Sequence, residues 1–337
     1  MRLMMAAGAV ALALVLFGLW VLTPVEPVSA TYAQSDCRVV ELIDVDTGHK
    51  IAGAEDMALE PNGENVIISA YDRFNPDDPK GGLYRISLWG LDGATWYEAT
   101  NLVDRGTGVF RPHGFALSPS GDRLALINRI ADGQAVIEIG DLHSDRWIPE
   151  RTVSAPMLCR ANDLDFLPTE AEALQITIDR ADCGMSISDL MPGATTGRVA
   201  VWDGVQLQLA KYGLAFPNGI SGLLIAETRK NRIFRPTATA IQLPGGPDNL
   251  TREDLRTVLV ALHPSLRRLW LYLNGLWPWA PSRLARVNVI SGAVEVLYDD
   301  PTGEQFPAAT SAVFAKDMLI AGSVGAEGLL VCRRGGT

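Results

Sequence analysis

Side chains bearing oxygen donors stand at the head of short apolar runs throughout this chain: Glu55-Asp56, Asn162-Asp163, Asn218 and Asp248-Asn249, with His113 opening another such run. Carboxylates and amide carbonyls are hard donors, the ligands calcium selects at about 2.3–2.6 Å. Taken singly, an Asn or Asp in such a place makes a turn. Gathered in one interior, such groups are costly to bury unless they are paired or bound to a cation. The coincidence of several openings therefore points to a cation-binding centre.

The elements that must position them recur as one phrase: a polar residue or pair, alternating apolar residues, often a Pro/Gly turn, then a second apolar run. It runs from Glu55 through Pro61-Asn62-Gly63, and again from His113 through Pro119-Ser120-Gly121. Fainter copies open at Asn162-Asp163, Asn218, Asp248-Asn249 and Thr310-Ser311. The mean spacing is about 50 residues, the size of one four-stranded propeller blade. Period-2 alternation broken by turn residues is a strand signature. The expected fold is all-β, a six-bladed β-propeller over residues 36–334, with each polar opening at the same end of an inner strand and all of them converging on the axis. No long helix-period segment competes with it.

The 337 residues allow one large all-β domain. A net charge of −10 argues against a nucleic-acid partner, which calls for a basic face. After Arg2 no charge appears until Glu26, and 4–22 is almost wholly apolar. Residues 1–30 thus read as a signal peptide or a membrane anchor, and small residues around Ala30 and Ala33 suit cleavage. Either way the body faces an oxidising compartment, periplasmic, secreted or anchored outside the cytoplasm. The four cysteines lack zinc-ligand spacing. Two disulfides, Cys37–Cys332 and Cys159–Cys183, are the favoured pairing in such a compartment.

Gly53-Ala54-Glu55-Asp56, Arg111-Pro112-His113-Gly114, Asn162-Asp163, Pro217-Asn218-Gly219 and Asp248-Asn249 resemble, in order and spacing, the paraoxonase family of calcium-dependent arylesterases and lactonases. Cys37 and Cys332 match that family's ring-closing cysteines. From Asp248 onward the chain equally resembles strictosidine-synthase-like and gluconolactonase-like propellers. The resemblance implies two calcium ions. Glu55, Asn162, Asn218, Asp248 and Asn249 match ligands of a catalytic ion, and Asp56, Asp163 and the Phe115 carbonyl those of a structural one. It implies a small ester or lactone substrate, polarised by the upper ion, and His113 as the base that activates water. His263 resembles a further family histidine, with Asp179 as the carboxylate that could pair with it.

The chain departs from the pattern at Asn128-Arg129, where animal paraoxonases carry a second histidine. Arginine cannot accept a proton at working pH and lowers the pKa of a neighbouring His. This keeps two other readings open, a strictosidine-synthase-like enzyme and a calcium-bound scaffold without activity. Other motifs have plainer explanations. Asp44-Val45-Asp46-Thr47-Gly48 has His49 where a calcium loop needs Gly, so it reads as a hairpin turn. Asn249-Leu250-Thr251 is a glycosylation sequon, unusable if Asn249 is buried. Residues 266–279, rich in Leu and Trp with Arg283 and Arg286 beyond, suit a lid over the channel mouth or a membrane contact.

Overall fold

The computed structural model describes residues 18, 23–75, 81–104, 108–167, 173–184 and 193–333. Apart from Gly18, the apolar segment 4–22 lies outside the described residues. The alternating phrases form antiparallel strands. After β1 (Cys37–Asp44) and β2 (Lys50–Ile51), the chain builds consecutive four-stranded groups. These are β3–β6 (Ala54–Leu59, Asn65–Ala70, Gly82–Ser87, Trp96–Asn101) and β7–β10 (Pro112–Leu117, Arg123–Ala131, Gln134–Leu142, Trp147–Ser154). Next come β11–β14 (Ala161–Phe166, Leu174–Ile178, Gly197–Trp202, Leu207–Leu214) and β15–β18 (Pro217–Ser221, Leu224–Glu227, Arg232–Phe234, Ile241–Gln242). They are followed by β19–β22 (Gly246–Arg252, Thr257–His263, Ser282–Asn288, Val294–Asp300) and the three strands β23–β25 (Ala309–Ala315, Met318–Ser323, Leu329–Cys332).

The N-terminal strand completes the last group. β1 pairs antiparallel with β25, placing Cys37 opposite Cys332, and runs parallel to β6. That double pairing merges the first and last groups into one nine-stranded sheet; the other four sheets stay separate. Disulfides join Cys37 to Cys332 and Cys159 to Cys183, as the sequence led us to expect. Two disulfides place the protein in an oxidising, extracellular or periplasmic environment.

The first strands of successive groups touch in a closed circuit, β3 to β7, β11, β15, β19, β23 and back to β3. Apolar clusters fill the spaces between neighbouring groups. Ile127, Ile137 and Ile139 meet Leu164, Leu174 and Ile176 in one, and Leu259 and Leu284 meet Ala312 and Leu319 in another. Strands covered on both faces read as near-continuous apolar runs, as in Val66-Ile67-Ile68. Outermost β14 instead alternates half-buried and exposed residues over most of its length, the signature of a strand with one wet face.

Hydroxyls fasten four of the groups to their neighbours. Ser69 donates to the His113 carbonyl and Thr177 to the Asn218 carbonyl. Thr228, just beyond β16, donates to the Pro247 carbonyl. Thr310 closes the circuit onto the Glu55 carbonyl. Buried backbone acceptors in the first strands are thereby satisfied without a continuous sheet.

Candidate functional site

Every first strand carries a register shift at its polar opening. The shifts lie between Ala54 and Asp56, Pro112 and Phe115, and Ala161 and Leu164. The others lie between Pro217 and Ile220, Pro247 and Leu250, and Ala309 and Ser311. A bulge suspends the strict alternation of a strand and re-aims its side chains. Glu55, Asp56, His113, Asn162, Asp163, Asn218, Asp248 and Asn249 are all buried as a result. Phe216, two residues before Asn218, has φ of 59°, a left-handed conformation costly for an aromatic residue and held here by the surrounding strands.

One tier of these side chains, the upper, ends in oxygens without a hydrogen-bond partner among the described residues: Glu55 Oε2, Asn162 Oδ1, Asn218 Oδ1, Asp248 Oδ1 and Asn249 Oδ1. Asn249 Nδ2 donates to the Glu55 carbonyl at 3.1 Å, which turns its Oδ1 the other way. Each buried acceptor left unsatisfied costs about 1–3 kcal/mol, so five of them at the openings of first strands call for a ligand. Among the described residues no three His, Cys, Asp or Glu side chains form a metal group of their own. The oxygens here are mainly amide carbonyls, which suit calcium and not zinc.

The other tier is differently occupied. Asp56 accepts from the Met57 and Phe115 amides, and Asp163 from the Leu164 and Ile220 amides, at 2.8–3.0 Å. Each carboxylate therefore ties its own strand to the next one along the circuit. Burial raises both carboxyls well above the usual range, Asp56 further through Glu55 and Asp163 further through Asp56. Each bonded oxygen keeps a second lone pair, so the pair still fits a cation. Asp56, Phe115 and Asp163 line a cavity of about 250 Å³ on this side.

His113 sits between opposing demands. Its Nδ1 lies 2.8 Å from Arg73 Nη2, a hydrogen bond, and 3.2 Å from Glu55 Oε2, a contact without hydrogen-bond geometry. Burial first, then the Arg129 guanidinium, push the His113 pKa down to about 3 against the pull of Glu55, so the ring is neutral. Its Nε2 is buried and unpartnered. With Arg73 donating to Nδ1, the proton belongs on Nε2.

His263 and Asp179 are not brought together. His263 Nε2 bonds Asp248 Oδ2 at 2.6 Å, while Asp179 pairs with Arg180 at 3.3 Å and Arg160 at 3.9 Å. Arg73 and Arg160 are the residues that sequence reading missed. Arg160 adjoins Cys159 and Asn162, but Arg73 lies beyond the repeat phrase, and nothing in its spacing announces it.

Segment 266–279 contains the helix α1 (Leu266–Leu273), capped by Ser265 accepting from the Arg268 amide. Tyr272 packs edge-on against Phe74, with ring centroids 5.1 Å apart, beside Arg73. Trp270, Leu276 and Trp279 are exposed. The flanking arginines are committed elsewhere. Buried Arg283 bonds Asp299, and Arg286 pairs with Glu253. Asn249, in the sequon, is buried, and Asp44 makes the hairpin turn by accepting from the Asp46 amide.

No family model and no curated protein matches the chain. Solved structures do. A gluconolactonase of Xanthomonas campestris is 13% identical, with 92% of this chain and 96% of that one covered and a TM-score of 0.50. A luciferin-regenerating enzyme is 13% identical, with 91% and 95% covered and a TM-score of 0.50. A protein of unknown function from Bacteroides thetaiotaomicron is 11% identical, with 88% and 74% covered and a TM-score of 0.54. At such identities the likeness concerns the fold alone, and that fold is all-β and propeller-like.

Proposed function

We propose that the chain is a six-bladed β-propeller that hydrolyses lactones or aryl esters with the help of calcium, outside the cytoplasm. The blades are the five groups β3–β6 to β19–β22 and a sixth made of β23–β25 closed by β1. The observation behind this reading is the tier of five buried, unpartnered oxygens. Glu55, Asn162, Asn218, Asp248 and Asn249 would hold one ion, and Asp56, Asp163 and the Phe115 carbonyl a second. The likeness to a gluconolactonase supports a lactone as substrate. The two disulfides and the apolar segment 4–22 support export, with exposed Trp270 and Trp279 suited to a membrane contact.

Calcium, if held by Glu55, Asn162, Asn218, Asp248 and Asn249, would supply a Lewis acid for an ester carbonyl and its oxyanion. The chain's own residues do the rest. Neutral His113 can accept a proton from water through Nε2 only in its other tautomer, with the ring proton moved from Nε2 to Nδ1, donated there to Glu55, and Arg73 displaced from Nδ1. His263, bonded to Asp248, fixes the orientation of that carboxylate and leaves its Oδ1 free. The Arg73 bond to Nδ1 favours a second reading, a calcium-bound scaffold, because it places the proton on the nitrogen that a base must keep bare.

Hydrolysis of δ-valerolactone and phenyl acetate, with calcium and after EGTA, separates the two. Asn218→Ala and Asp248→Ala should lower kcat/KM roughly a hundredfold or more, as removal of an oxyanion-stabilising group does. Both variants should stay folded, because the lower tier is intact. No turnover by the parent on either substrate would leave only the scaffold, and undiminished turnover in both variants would remove calcium from the mechanism.

A further inference from the structure

Beside His113 lies a cavity of about 210 Å³ whose wall carries four arginines, Arg73, Arg111, Arg129 and Arg160. Four guanidinium groups around one small space repel one another unless anions balance them. The chain supplies little. Arg73 stands 3.9 Å from Glu55, and Arg160 is 3.9 Å from Asp179, which it shares with Arg180. Arg111 reaches Asp132 at 3.6 Å, a carboxylate at the solvent-exposed rim of the same cavity. Arg129 has no carboxylate within ion-pair distance among the described residues, and its Nη2 donates only to the Ala161 carbonyl. The Nε atoms of Arg111, Arg129 and Arg160 are buried without a hydrogen-bond partner.

From this arrangement we infer that the cavity is an oxyanion subsite, binding a carboxylate, sulfate or phosphate group on the substrate next to its scissile bond. The inference rests on the hydrolase reading for the word substrate, and on the arginines alone for the anion. Planar guanidinium forks match such groups with paired donors, better than lysines would. The volume falls below the roughly 300–1,000 Å³ of sites for drug-sized ligands, so the anionic arm is short. The Cys159–Cys183 disulfide braces this wall next to Arg160, and Gly133 beside it has φ of 70°. Burial and Arg73 hold the Arg129 pKa down at about 10, still charged at neutral pH.

The test titrates the full chain calorimetrically with sodium sulfate and, separately, sodium benzoate, in buffer containing calcium. It then compares kcat/KM on 4-carboxyphenyl acetate and phenyl acetate. Sulfate, benzoate or both should bind. Arg111→Gln and Arg160→Gln should each weaken that binding about tenfold or more, and the parent should prefer the carboxylated ester. Arg111 pairs with exposed Asp132 whereas Arg160 pairs with buried Asp179, so Arg111→Gln keeps the test readable if Arg160→Gln does not fold. Anion binding lost in the variants, with neither ester hydrolysed, upholds the arginine subsite and fells the hydrolase. Equal hydrolysis of both esters, with anion binding absent or unchanged in the variants, overturns the subsite and spares the hydrolase.

Discussion

Removing calcium should lower the melting temperature by several degrees, and the structure bounds the size of the effect. The five unpartnered oxygens of the upper tier carry a desolvation cost of about 1–3 kcal/mol each when nothing meets them. The lower tier adds two buried carboxyls, Asp56 and Asp163, which burial makes costly to ionise, Asp56 further beside Glu55 and Asp163 further beside Asp56. A cation bound only by the folded chain stabilises it by about 4 kcal/mol when free ligand exceeds Kd roughly a thousandfold. A domain of ~300 residues unfolds with an entropy near 0.6 kcal/mol/K, so each such ion is worth about 6–7 °C. The assay is differential scanning calorimetry in millimolar calcium, in EGTA, and in EGTA with magnesium. We expect a drop of about 6 °C or more on chelation that magnesium does not restore, and a smaller drop in Asn218→Ala. Melting that is the same in EGTA as in calcium would mean that these oxygens are satisfied otherwise, and the calcium reading would fall.

Three further outcomes are expected. Cys37 and Cys332 are 295 residues apart and Cys159 and Cys183 only 24, so chain entropy makes the first bond worth ~2 kcal/mol more than the second. Urea denaturation of the two double-serine variants checks this, and an equal loss would refute it. At Gly219 a Cβ would sit 2.6 Å from the Asp248 carbonyl and the Leu250 amide nitrogen, whereas at Gly93 it would meet nothing. Gly219→Ala should therefore cost ~1–3 kcal/mol and Gly93→Ala far less, read from the same denaturation curves. Arg73→Gln should free His113 Nδ1 to donate to Glu55 and raise kcat/KM on phenyl acetate roughly tenfold; a fall would show that Arg73 assists the reaction.

Much of the architecture is legible because the repeat phrase begins where the first strands begin. Glu55, His113, Asn162, Asn218, Asp248 and Thr310 all lie within three residues of a strand start. Apolar run and turn together fix the first two strands of a group, since both are buried and so written in Val, Ile and Leu. The helix α1 was less legible. Its eight residues follow a β-strand after only a Pro-Ser step, and their Leu and Trp content suggests a lid or a lipid contact as readily as a helix. Side-chain partners are harder still. His263 stands opposite Gly246 in the ladder, yet its imidazole reaches Asp248, because the bulge after Pro247 carries that carboxylate toward it. Asp179, an equally plausible partner by residue type, lies across the circuit beside Arg160. The arginine wall draws on β8 (Arg129), the 3-10 turn before β11 (Arg160) and the segments after β4 and before β7 (Arg73 and Arg111), and no periodicity joins those positions.

The second residue of each opening shows why the polar pairs are not interchangeable. Around the circuit that residue is Asp56, Gly114, Asp163, Gly219, Asn249 and Ser311. Asp56 accepts from the Phe115 amide, the one that follows Gly114, and Asp163 accepts from the Ile220 amide, the one that follows Gly219. Each glycine in turn makes room for the strand beyond. A Cβ at Gly114 would lie 2.5 Å from the Asn162 carbonyl, and one at Gly219 would lie 2.7 Å from Asn249 Cα. An acid on one strand thus requires a glycine on the next, and that glycine lets the following opening approach the axis closely enough to add its own oxygens. His113-Gly114 and Asn218-Gly219 are therefore structural as much as chemical. The same close approach that satisfies Asp56 and Asp163 through backbone amides buries the upper oxygens with no hydrogen-bond partner among the described residues.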